Sequence, residues 1–213
     1  MTETATAGAA PTAVPGHFTI NIPDPWWTLD LDPSTRDASI GRRVREQARG
    51  HDVDRELLDR LVRHGRKVAR EAHGQGALRA AGMVAFLPDR SSIMATTVVL
   101  RVMPPEDGPA DLAELLAPVA LENDKIALGR GTEANRVETR ELPELGTVGR
   151  VTRIEDVGFA GGSVVRMATM HTVIPVPGSR GSLVVSSATP NLSLTTAFFD
   201  VFDAIAGSVR FVS

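Results

Sequence analysis

The sequence predicts an α+β fold in which an antiparallel sheet of about six to seven strands is covered by helices on both faces. Three observations carry that prediction. Segments with a two-residue apolar period outnumber those with a helical period. The last four strand segments are joined by LPELG, GFAGG and PGSRG, connections too short for parallel crossovers. Several strands are apolar on both alternating faces, which demands cover on both sides, and three helical regions can supply it.

The elements follow in chain order. Residues 1–16, MTETATAGAAPTAVPG, are small and aperiodic, and cannot offset the entropy of ordering them, so a disordered tail is expected before a single domain over 17–213. Phe18, Ile20 and Ile22 alternate with polar residues as in a half-buried strand, which Pro23 and Pro25 end. A helix is expected over about Ser34 to Arg49, with Ile40, Val44 and Ala48 inward and Gly50 past its end. Asp52 or Asp54 then caps a second helix, whose stripe of Val53, Leu57, Leu61, Val68 and Ala72 runs to about His73.

Strands over Leu78 to Leu87 and Ser92 to Met103, joined by four residues, read as a hairpin. After a Pro-rich loop, Asp111 to Leu121 reads as a short helix with Leu112, Leu115, Leu116 and Val119 inward. Strands over Arg136 to Glu141, Thr147 to Val157, Ser163 to Val176 and Leu183 to Ala188 form a meander. A final helix from about Ser193 buries Phe198, Val201, Phe202 and Ile205 and stops at Gly207, leaving Ser208 to Val212 as an edge strand.

Composition removes several chemistries. The 213 residues include no cysteine, so thiolate catalysis, disulfides, iron-sulfur clusters and Cys-type zinc sites are excluded. No run approaches the ~18 apolar residues of a membrane span, and residues 1–16 lack the basic and apolar regions of a secretory signal. A cytoplasmic protein is expected. The net charge of -3 gives no general attraction to nucleic acid. The charge is unevenly spread: Arg36 to Arg79 holds 12 basic and 7 acidic residues, a balance of +5, which leaves -8 elsewhere.

No catalytic, cofactor or metal site emerges. His171 shares its strand face with Met167, Thr169 and Val173 and with no carboxylate of that strand, so a packed histidine is the simpler reading. His51, His64 and His73 are spaced by 13 and 9 residues rather than the i, i+4 of a helical metal pair. Gly161, Gly162 and Ser163 serve a turn, and the lone Gly129-Arg130-Gly131 lacks the strand that a phosphate loop follows. Adjacent Glu155 and Asp156 point to opposite sheet faces, which separates them as an acid and base pair.

Two segments are candidates for binding a partner. Trp26 and Trp27 follow paired prolines and could form a rigid aromatic anchor, the alternative being that they close one end of the core. Arg55, Arg63, Arg66 and Arg70 lie opposite the second helix's apolar stripe. They form either a solvated face crossed by pairs such as Glu56 with Arg60 and Asp59 with Arg63, or a docking face for an acidic partner. Nucleic acid is disfavoured because no aromatic interleaves the arginines.

The opening INIPDPWW and the closing LVVSSATPNLSLTTAFFDVFDAIAGSVRFV together resemble the PsbP-like superfamily, including its DcrB-like and LpqN-like members. The closing segment is the most distinctive, with a strand, a Thr-Pro break and a helix bearing Phe202, Asp203, Ile205 and Ala206. More narrowly, PDPWWTLDLDPSTRDASI with this ending resembles actinobacterial proteins linked to type VII secretion clusters, and the 21 Arg against 2 Lys fit a high-GC genome. The resemblance implies an α/β/α sandwich without enzymatic activity, and it carries over no active-site residue.

The expected function is therefore a non-enzymatic protein-interaction module, a cytoplasmic chaperone or adaptor for a secretion system. It needs no cofactor, and homodimerisation is left open. The alternative is a carrier of a small apolar ligand in a pocket between the sheet and the long helix. An enzyme of unrecognised type is the third reading.

Overall fold

The computed structural model describes residues 17–89, 91–104, 136–158 and 164–212. The expected tail over 1–16, the helix over Asp111 to Leu121 and the Gly-x-Gly at 129–131 lie outside the described residues. So do the glycine turn at 161–163 and Ser213.

The described elements are β1 (His17–Thr19), β2 (Trp27–Thr28), α1 (Arg36–Gln47), α2 (Arg55–Gly74), β3 (Arg79–Phe86), β4 (Ser92–Val102), β5 (Arg136–Leu142), β6 (Gly146–Gly158), β7 (Val164–Pro175), β8 (Ser182–Thr189), α3 (Thr195–Gly207) and β9 (Arg210–Val212). Seven strands form one antiparallel sheet in the order β2-β3-β4-β8-β7-β6-β5, and β1 pairs with β9 in a separate two-stranded ribbon. The expected hairpin and meander both form, and β8 joins them by pairing with β4 on one side and β7 on the other. The fold is α+β with helices on both sheet faces.

One correction concerns the first strand. Its alternating Phe18, Ile20 and Ile22 pack on the core, but only His17–Thr19 form a ladder, and that ladder is with β9 rather than the main sheet. The sheet's first edge is β2, whose Trp27 lies opposite Gly82.

Local chemistry explains the helix starts. Before α1, Ser34 donates to Asp32 through its amide at 2.8 Å and its hydroxyl at 2.6 Å, and the Thr35 hydroxyl donates to Asp30 at 2.7 Å. The two bonds from Ser34 hold the Asp32 carboxyl below its usual range. Of the two expected caps for α2, Asp54 takes the role, accepting from the amides of Glu56 at 2.6 Å and Leu57 at 3.3 Å.

Two cores result. One face of the sheet packs on α3, Trp26 and the ribbon, with Phe202, Ile205, Met170, Val185 and Val99 fully buried. The other face packs Ala80, Val84 and Phe86 against Ile40 and Val44 of α1 and Leu61, Val62 and Ala69 of α2. Gly65 lets α1 approach α2, since a Cβ there would lie 2.9 Å from the Ile40 Cγ2. Burying roughly 25 cal/mol per Å² of apolar surface drives both layers together.

The closing sequence is built for joining layers. Asn191 extends the ladder beyond β8: its Oδ1 accepts from the Met94 amide at 2.9 Å, and its Nδ2 donates to the Ser92 carbonyl at 3.1 Å. Thr189 donates to the Met94 carbonyl at 2.7 Å. The Thr-Pro-Asn break thus replaces strand hydrogen bonds with side-chain ones where proline has no amide to give.

Candidate functional site

The helical pair α1 and α2 forms an outer layer, and its chemistry follows from helical spacing. Ile40, Gly41 and Val44 of α1 and Leu61, Val62, Ala69 and Ala72 of α2 are buried, which turns the intervening arginines outward. The predicted arginines divide into two groups. Arg66 donates through Nε to the Asp37 carbonyl at 2.9 Å, and Arg70 reaches the Asp37 carboxylate at 3.2 Å. Those two tie α2 to the start of α1. Arg55 and Arg63 are exposed and make no ion pair among the described residues.

Exposed Arg42 and Arg45 of α1, with exposed Arg49 just past its end, extend this second group, also without a carboxylate partner among the described residues. A Cβ on Gly41 would lie 3.1 Å from both the Arg45 Nη1 and the Arg66 Nη2, so two guanidinium groups converge over the seam between the helices. The expected Glu56 to Arg60 pair forms at 2.8 Å, whereas Asp59 and Arg63 make none. The arginines that the sequence singles out as candidates all lie on α2. The contribution of α1 was legible in Arg42 and Arg45, and in Arg49 just past its end, which recur at i, i+3, i+7.

The two tryptophans part company. Trp26 is 7% exposed and meets Phe202 edge to face at 6.3 Å, so it belongs to the core under α3 and offers no surface to a partner. Trp27 is half-buried and packs against both cores, with the Arg43 guanidinium 5.8 Å from its ring centre. Trp26, just before β2, thus belongs to one layer alone, while Trp27 at the sheet edge touches both.

Two histidines, His171 and His64, lie in partly buried surroundings. His171 Nδ1 lies 3.0 Å from the Ser186 Oγ, across the β7-β8 ladder, and this is its hydrogen bond among the described residues. Burial lowers its basicity, while Glu155 raises it and Arg153 lowers it further. His64 is pushed down to about 4, first by burial and then by Lys67. No group of three or more His, Asp or Glu side chains able to hold a metal occurs among the described residues.

A charge network absent from the sequence reading joins α3 to the sheet edge. Asp203 accepts from Arg140 at 2.8 Å and pairs with Arg150 at 2.9 Å, while Glu138 lies 3.2 Å from Arg150 and 3.1 Å from Arg136. Burial raises the Asp203 carboxyl above its usual range, against the pull of the two arginines. Arg150, at 8% exposure, also points its Nε at the Met170 sulfur, 3.1 Å away. Every member is engaged with another, which makes this a clamp for α3 rather than an open site.

The fold and this surface define an α+β protein with an antiparallel sheet between helices and a basic helical layer. No family model matches the chain, and no curated protein matches it. Among solved structures, the chain is similar to LpqN, described as involved in cell envelope biogenesis of Mycobacterium tuberculosis. The two share 13% identity at a TM-score of 0.44, over 92% of this chain and 83% of that one.

Proposed function

We propose that the protein is a non-enzymatic binding module that docks an acidic protein partner on the outer face of α1 and α2. The observation that carries this reading is the group of five exposed arginines, Arg42, Arg45, Arg49, Arg55 and Arg63, with no carboxylate partner among the described residues. Unneutralised charge of one sign raises the local potential and attracts the opposite sign, with a strong dependence on salt. Residues 36–74, which make up this layer, hold 11 basic and 7 acidic residues, and that excess sets its sign. Within this class, the resemblance of the sequence favours an adaptor or chaperone.

The test compares the wild-type chain with R42E/R45E/R63E as bait in an extract of the cells that produce it. The expected result is a stoichiometric acidic protein retained by the wild type at low salt, released at high salt and not retained by the variant. Equal recovery by both baits, or recovery insensitive to salt, would count against the reading.

A further inference from the structure

The pocket expected as an alternative would lie between the sheet and the long helix, whereas two clefts lie on the other side of the sheet. Where the β1-β9 ribbon and the chain at Ile20 and Ile22 cross the ends of β3, β4 and β8, two half-open clefts meet at Arg79. The smaller, about 170 Å³, is walled by Ile20, Ile22 and Val99. The larger, about 280 Å³, is walled by Phe18, Phe211, Leu183 and Val176. For scale, an apolar cavity of roughly 150 Å³ admits benzene.

The mouth is cationic. Arg79 stands opposite Val99, and Arg101 lies two residues further along β4, opposite Leu183 of β8. The two arginines are therefore diagonal neighbours on one sheet face, roughly 7–8 Å apart at the backbone. Both line the larger cleft, both are exposed, and neither makes an ion pair among the described residues. Two like charges side by side on a face otherwise given to Ala81, Val99 and Leu183 disfavour each other, and an anion between them would relieve that cost. Leu78, at 47% exposure, adds apolar surface at the same mouth.

We propose that the cleft beneath the β1-β9 ribbon binds a single-chain amphiphile as a free monomer, with its carboxylate between Arg79 and Arg101 and its acyl chain along Phe18, Leu183 and Phe211. A flexible chain fits the apolar walls, and a planar carboxylate matches the fork of a guanidinium. The site lies on the opposite sheet face from the α1-α2 layer, so it stands or falls independently of the acidic partner.

The experiment is methyl NMR of the full chain titrated with sodium decanoate, decanol or sodium butyrate, each below the concentration at which it aggregates. Decanoate is expected to shift the methyls of Leu78, Val176 and Leu183, which line the larger cleft. Butyrate should leave them unmoved, and decanol should bind at least about tenfold more weakly, as the loss of a charge-assisted bond implies. R79Q/R101Q, which alters exposed side chains only, should weaken decanoate by about the same factor with an unchanged thermal midpoint. Absence of methyl shifts with decanoate, or equal binding of decanol and decanoate, would overturn the proposal. Shifts produced by anionic phospholipid vesicles but not by monomeric decanoate would also overturn it, in favour of a membrane-surface contact.

Discussion

Replacing His64 with glutamine should flatten the acid limb of the stability curve. The folded imidazole titrates near 4 against 6.5 when exposed, with burial the main cause and Lys67 the second. Both states are neutral above pH 6.5. As the pH falls through that value the unfolded chain takes up a proton that the folded chain refuses, so stability is lost on acidification. The loss grows between pH 6.5 and about 4 and is complete below the folded value. At 1.36 kcal/mol per unit, His64 alone removes about 2 kcal/mol by pH 5 and about 3 below pH 4. Urea denaturation of wild type and H64Q at pH 8 and pH 5 isolates this contribution as a double difference. His171, whose basicity burial also lowers, is present in both chains and cancels. A double difference near zero, with unchanged urea slopes, would refute the reasoning, because it would mean that the folded chain protonates His64 freely.

Three further outcomes are expected. Gly65→Ala should destabilise by about 1–2 kcal/mol in chemical denaturation, since crowding Ile40 outweighs the better helix propensity of alanine. Asp203→Ala should cost about 1–2 kcal/mol, at the low end for a charged hydrogen bond because solvent screens its half-exposed carboxylate, and its melting point should fall accordingly. Asn191→Ala should lose about 1–2 kcal/mol and speed hydrogen exchange at the Met94 amide, which would otherwise be bonded to its side chain.

What the sequence revealed and what it concealed divide along contact distance. The α1 and α2 stripes, the β3-β4 hairpin and the run from β5 to β8 are local patterns, and periodicity with short connections is enough to read them. Pairings across the chain are not local. His17–Thr19 carries the alternation of a sheet strand, yet three residues cannot say that the partner is β9, almost the whole chain away. Arg150 reads as one polar position in a strand, and its pairing with Asp203 depends on where α3 lands. Trp26 and Trp27 were legible in part: closing one end of the core was one of their two readings, but only the packed structure shows that Trp26 belongs to one layer and Trp27 touches both. For the candidate surface, the excess of arginine was visible in the sequence. That Arg66 and Arg70 are committed to Asp37 while Arg55 and Arg63 are not required the helices to be placed side by side.

The insertion of β8 between β4 and β7 sets an order on biosynthesis. A chain leaving the ribosome can complete α1, α2 and the β3-β4 hairpin early, because their contacts are close in sequence. The edge of β4 then waits for Ser182–Thr189, which supply its ladder partner. During synthesis of the intervening stretch that edge stays open to any other extended strand. The nascent protein is thus most vulnerable to mispairing late, when most of its residues have been made and the strand that seals the sheet has not.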